Sequence, residues 1–140
     1  MEIFTPIIAF AALLLSLFNT WENRKFKKLQ KASLTAEMDD RKKANIIACL
    51  SEENSYPQLL VKNIGRNLAS NIRFENIGSD EVVSVHQIKA VFPFATLHVN
   101  QAIKIDINRH SNSPETFSFK ILWDDEYSIN REQPFTLRLY

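Results

Sequence analysis

Apolar and polar positions alternate on three different periods along this chain. From Ile3 to Phe18 there is no charged residue, and the apolar run breaks only at Thr5, Pro6 and Ser16. Counted on through Asn19, Thr20 and Trp21 it reaches 19 residues. At about 1.5 Å per residue that approaches a hydrocarbon core of about 30 Å. The run has no polar stripe, unlike a helix lying on a surface. Pro6 sits in a first turn that tolerates its missing N–H, and Trp21 stands where an interfacial aromatic is expected. The start "MEIF" lacks the positive charge of an export signal, and "FNTWENRK" lacks its small-residue cleavage site. The pattern predicts an uncleaved transmembrane anchor over residues 1–21.

Residues 22–43 change period. They are rich in Lys, Leu, Gln, Glu and Ala, all good helix formers, and no Gly or Pro occurs between Ile7 and Tyr56. A basic juxtamembrane helical stalk is therefore predicted, with Phe26, Leu29, Leu34 and Met38 as a thin apolar stripe. After Lys43 the period falls to two. "ANIIACL" and "PQLLVKN" are β-prone, and "LASNIRFEN" places Leu68, Ile72 and Phe74 on one face. "EVVSVHQIKAVF" reads as another extended run. "AIKIDINRH" turns Ile103, Ile105 and Ile107 inward, "TFSFKILW" does the same with Phe117, Phe119, Ile121 and Trp123, and "FTLRLY" with Phe135, Leu137 and Leu139. Pro57, Pro93, Pro114 and Pro134 fall at strand starts or in connections on this reading. Seven to eight short strands joined by short connections predict antiparallel pairing and a mainly β fold. The expected form is an immunoglobulin-like β-sandwich over residues 44–140, with a small barrel as the alternative.

Charge sharpens the picture locally. Residues 22–43 hold eight Lys/Arg against four acids, whereas residues 44–140 hold nine bases against eleven acids. Arg24, Lys25, Lys27, Lys28 and Lys31 follow the apolar run with no acid among them. Bases flanking a span stay on the cytoplasmic side, so the expected placement is a cell membrane, with the N-terminus outside and the C-terminal domain cytoplasmic. The single Cys49 and the absence of any Asn-x-Ser/Thr acceptor agree with that side. A mildly acidic folded part lacks the basic face that nucleic-acid binding requires.

The segments "LLVKNIGRNLASNIRF" and "FKILWDDEYSINREQPFTLRLY" resemble the C-terminal immunoglobulin-like β-sandwich domains of small, uncharacterised bacterial single-pass membrane proteins. The matching positions are Asn63, Gly65, Ala69, Asn71 and Ile72, then Trp123, Asp124 and Tyr127; Glu126 stands where those hairpins often carry glycine. The resemblance implies fold and topology and brings no reaction with it. Read physically, Gly65 supplies a positive φ at a turn, while Asn63 and Asn71 bond to turn backbone groups through their side chains.

Little in the chain points to catalysis or cofactors. His86, His98 and His110 are twelve residues apart each time, with no close His/Cys pair for a metal. "DDE" at 124–126 lacks the alternation and glycine of a calcium loop. Cys49 inside "IIACL" reads as a buried thiol. Two glycines leave no room for a Walker or dinucleotide loop. The chain is therefore expected not to be an enzyme and to hold no cofactor. The expected function is protein interaction or recruitment at the cytoplasmic membrane face. Surfaces for it are the loops 51–56, 64–67 (with Arg66 and Asn67), 108–115 and 124–133 (with Asp124 and Asp125), and homo-oligomerisation through the anchor or stalk is a further expectation. The rivals are a ligand- or lipid-sensing regulator and a phage or host-defence membrane effector.

Overall fold

The computed structural model describes residues 4–51, 56–78, 82–109 and 111–139. Two compact units emerge, Met1–Met38 and Asp39–Tyr140. One helix, α1, runs Phe4–Arg41, without interruption by Gly or Pro after Pro6. In the first unit its described apolar side chains, among them Leu13, Leu14, Leu15, Phe18 and Trp21, are all exposed.

The transmembrane expectation is corrected here. Among the described residues no helix is long and apolar enough to cross a membrane. Between Pro6 and Asn19 the run, Ile7–Phe18, is twelve residues with Ser16 inside it, about 18 Å of helix against the ~30 Å required. Reaching 19 residues meant counting Thr5, Pro6, Asn19 and Thr20 as membrane-facing, and Glu22, Arg24 and Lys25 follow at once. The single-pass assignment falls with the span, and the orientation read from the flanking bases loses its premise.

The second unit is built from seven strands: β1 Ile46–Ser51, β2 Gln58–Asn63, β3 Ala69–Asn76, β4 Phe94–Leu97, β5 Ala102–Asp106, β6 Thr116–Asp124 and β7 Arg131–Arg138. They form two antiparallel sheets, ordered β1-β2-β5 and β4-β3-β6-β7. The chain pairs β1 with β2 in the first sheet, crosses to the second for β3 and β4, returns for β5, then crosses back for β6 and β7. That arrangement is consistent with a β-sandwich. One core lies between the sheets, with Leu59, Val61, Ile103 and Ile105 from the first and Ile72, Phe117, Phe119, Ile121 and Trp123 from the second. Phe74, Phe117 and Phe119 are in mutual ring contact and Phe135 stacks on Phe119, with ring centroids 5.0–6.3 Å apart. Burial alternates strictly along β6, the pleat giving every second side chain to the core.

Three local expectations change. The run "EVVSVHQIKAVF" contains a helix, α2, Val85–Val91; Val85, Ile88 and Val91 recur at threes, and Ile88 and Val91 pack against the core. In β3 a register shift lies between Ser70 and Arg73, with Asn71 at φ 49. This bulge resets the alternation, so Ala69 and Ile72 are buried and Leu68 is exposed. Pro134 lies inside β7, which tolerates it because β7 is an edge strand.

Candidate functional site

Of the residues singled out in the two turns, Asn63, Gly65, Arg66, Asn67 and Asp125 converge on one short stretch of chain, Lys42–Asn45, just before β1, whereas Asp124 bonds to Asn71 and Asn130. Asn63 ends β2 and is fully buried, the one buried polar residue among the described ones. Its Oδ1 accepts from the N–H groups of Asn45 (3.2 Å) and Gly65 (3.0 Å). Its Nδ2 donates to the carbonyls of Asn67 (2.7 Å) and Leu97 (3.1 Å). One amide thus uses both donors and both lone pairs to join the β1 entry, its own turn and the end of β4. The Lys43 carbonyl accepts from the N–H groups of Arg66 and Asn67, and Asn67 Nδ2 donates to the Lys42 carbonyl and to Glu126. Arg66 Nε lies 3.6 Å from Asp40.

Gly65 has a role other than the expected one. No glycine here has positive φ; instead a Cβ at Gly65 would stand 2.3 Å from the Asn45 nitrogen and 2.7–2.8 Å from Ala44 backbone atoms. Glycine is required because the turn and the β1 entry touch backbone to backbone. The positive φ angles fall on Asn71, Asn100 and Asn130, the residue type that best tolerates that region after glycine.

The hairpin between β6 and β7 closes the other side. Asp125 Oδ2 accepts from the Ala44 N–H (2.9 Å) and pairs with Arg131 Nη1, while that same Nη1 donates to the Ala44 carbonyl (2.9 Å). Asp125 Oδ1 accepts from the N–H groups of Tyr127 and Ser128. Burial pushes the Asp125 carboxyl up, but Ser128, Ala44 and Arg131 together outweigh it and hold it below its ordinary value. Asp124 is held low chiefly by the Asn130 N–H, then by Asn71 Nδ2 and Arg73. Arg131 also stands 5.1 Å from the Trp123 ring, and Lys43 4.4 Å from that of Tyr127.

These contacts reveal how β1 is finished. Its register with β2 is continuous from Ile46 opposite Asn63 to Ser51 opposite Gln58. One step earlier, Ile64 N–H donates to the Asn45 carbonyl. Antiparallel ladders alternate bonded and non-bonded pairs, so Asn45, Ile47, Cys49 and Ser51 aim their backbone groups at β2. Ala44, Ile46, Ala48 and Leu50 aim theirs at the free edge. At Ala44 the Asp125–Arg131 pair occupies both groups, as a neighbouring strand would. Ile46 is itself fully buried, and at Ala48 and Leu50 none of the described residues bonds these groups.

The remaining candidates are dispersed. Arg24, Lys25, Lys27, Lys28 and Lys31 are exposed along α1, with Lys25 Nζ 3.5 Å from the Trp21 ring centre. His86 is on α2 and His98 follows β4; His110 and loop residues 52–55 lie outside the described residues. Among those described, no group of three or more His, Cys, Asp or Glu is placed to hold a metal. Cys49 is exposed on the outer face of β1, correcting the buried thiol expected there. Sequence reasoning passed over Arg131 and Ala44; the signal for Arg131 was a lone arginine six residues beyond an aspartate across a hairpin. A family model described as a domain of unknown function (DUF8453) matches residues 1–139. No curated protein and no solved structure matches the chain significantly.

Proposed function

The chain belongs to the DUF8453 family, and from that premise and the geometry above we propose that its β domain is a protein-interaction module that recruits a partner by strand addition to β1. The observation carrying this reading is the contrast between β1 and the other three sheet edges. On β5 the edge-facing backbone of Asp106 is taken by the Gln87 side chain of α2. With the Gln87 amide oriented to satisfy both, its nitrogen donates to the Asp106 carbonyl (3.1 Å) and its oxygen accepts from the N–H (2.8 Å). β7 carries Pro134 and the charged Arg131, Glu132 and Arg138. β4 is only four residues long. Short length, proline, charge and side-chain cover are the devices by which proteins blunt an edge. Strand β1 has six residues, IIACLS, with no charge and no proline, in unbroken register with its neighbour. Main-chain bonds along such an edge supply affinity, and alternate side chains supply selectivity.

The test is crosslinking and pulldown with the full chain as bait, comparing wild type with Ala48→Pro. The Ala48 N–H points away from β2, so proline there removes an edge donor and leaves the internal ladder intact. Wild type is expected to capture a partner that Ala48→Pro loses by about tenfold or more. Equal capture by both would overturn the proposal.

A further inference from the structure

We propose that the outer face of the β1-β2-β5 sheet docks an acidic amphipathic helix of a partner protein. This surface is distinct from the edge of β1 and does not depend on a strand being added there.

The pleat decides which side chains stand on that face. Leu59, Val61, Ile103 and Ile105 turn into the core, so their neighbours along the strands turn outward. The register sets these in rows: Ile47, Lys62 and Ala102 in one, Cys49, Leu60 and Lys104 in the next, Ser51, Gln58 and Asp106 in the last. Ile47, Cys49, Leu60 and Ala102 thus adjoin as an apolar patch, with Cys49 exposed and the others half-buried. Lys62 and Lys104 cross it on the diagonal between β2 and β5, where such neighbours stand about 7–8 Å apart.

Neither lysine has an acid within ion-pair distance among the described residues. The carboxylate in these rows, Asp106, accepts from Gln58 Nε2 at 2.8 Å. On the outer face of the other sheet, charges meet within the sheet. Lys120 lies 3.1 Å from both Glu75 and Glu132, and Arg73 lies 3.7 Å from Asp124. Two like charges set side by side without a counter-charge repel, and carboxylates brought by a partner relieve that repulsion. The lysines therefore set the sign of the partner, and the patch between them sets its amphipathic character. Strands spaced by about 4.8 Å give this three-stranded sheet a face about 10 Å across, the diameter of one helix. A helix layered on a sheet is a stable way to cover such a face. Its apolar stripe rests on Ile47, Cys49 and Leu60, and its carboxylates reach Lys62 and Lys104.

Cys49, the single cysteine, stands within this face and reports on it directly. The rate at which iodoacetamide alkylates Cys49 in the full chain is measured with two synthetic amphipathic helices. One carries leucines on one face flanked by glutamates; the other carries lysines in place of the glutamates. The glutamate peptide is expected to slow alkylation at least about tenfold at saturation, and the lysine peptide to leave the rate unchanged. In Lys62→Glu/Lys104→Glu, whose changes lie on the surface, the preference reverses. A glutamate peptide held elsewhere, on the bases of α1, leaves Cys49 reactive, so absence of protection overturns the inference. Equal protection by both peptides overturns it too, as does protection by the glutamate peptide that survives the double charge reversal. Protection that persists in Ala48→Pro supports a face separate from the β1 edge. Protection lost in Ala48→Pro assigns the peptide to that edge and overturns docking on the face.

Discussion

Replacing Asn63 with alanine is expected to destabilise the β domain by about 3 kcal/mol, among the largest effects of any single polar substitution in it. Four backbone groups depend on that amide: the N–H groups of Asn45 and Gly65 and the carbonyls of Asn67 and Leu97. Each loses its partner; the Leu97 carbonyl does so in the buried interior and the other three in a partly buried turn. A cavity adds to the cost. Asn63→Asp separates this account from one based on shape. Aspartate fills the same space but cannot donate, so its second oxygen faces two carbonyls in place of bonding to them, and burial leaves its charge unpaired. Urea unfolding of the full chain should place Asn63→Asp at or below the stability of Asn63→Ala. Wild-type stability for Asn63→Asp would mean the donor side of the amide carries nothing.

Asp125→Asn is the second large effect, about 2–3 kcal/mol near neutral pH, because it removes the charge that Arg131 and the Ala44 N–H share. It also has a pH signature. The Asp125 carboxyl is held below its ordinary value in the folded state, whereas in the unfolded chain it titrates near 3.9. A depressed folded pKa means the unfolded state takes up protons first as pH falls. The contribution is therefore complete above about pH 5, declines as pH drops through the unfolded value, and is gone below the folded one. Asp124, held low by Asn130, Asn71 and Arg73, adds a slope of the same sign. Denaturant midpoints measured from pH 7 to pH 2.5 should fall steeply for wild type and more shallowly for Asp125→Asn. Parallel curves would show that Asp125 keeps an ordinary pKa.

The strands with plain period-two alternation were legible because the pleat is local: Ile103, Ile105 and Ile107, and Phe117 through Trp123, face the core as their spacing implies. Where a residue's conformation breaks the period, local reading slipped. Asn71 in the left-handed region shifts β3 by a step and exchanges Leu68 for Ala69. In α2 the same Val and Ile residues that suggest a strand recur at helical spacing, and a short apolar run does not decide between the two. At the N-terminus the apolar run was real, but its length was judged by including polar residues that a bilayer core would not accept. Asn63, Gly65, Arg66, Asn67 and Asp125 stood out as turn residues. That they close on one backbone stretch was not legible, because Asp125 meets Ala44 across 81 positions of sequence. The exposed edge of β1 was equally hidden. "IIACL" is β-prone in sequence without marking edge or interior, and only the sheet order places it at an edge.

Residue-resolved hydrogen exchange on the full chain tests the central claim, that β1 is a pairing edge closed at Ala44 and Ile46 and open at Ala48 and Leu50. In dilute protein the amides of Ala44, Ile46, Ile47 and Cys49 should be protected, while those of Ala48 and Leu50 exchange much faster. A partner strand added to this edge should slow these two together and leave the others unchanged. Uniform protection along β1 in the free protein would contradict the account.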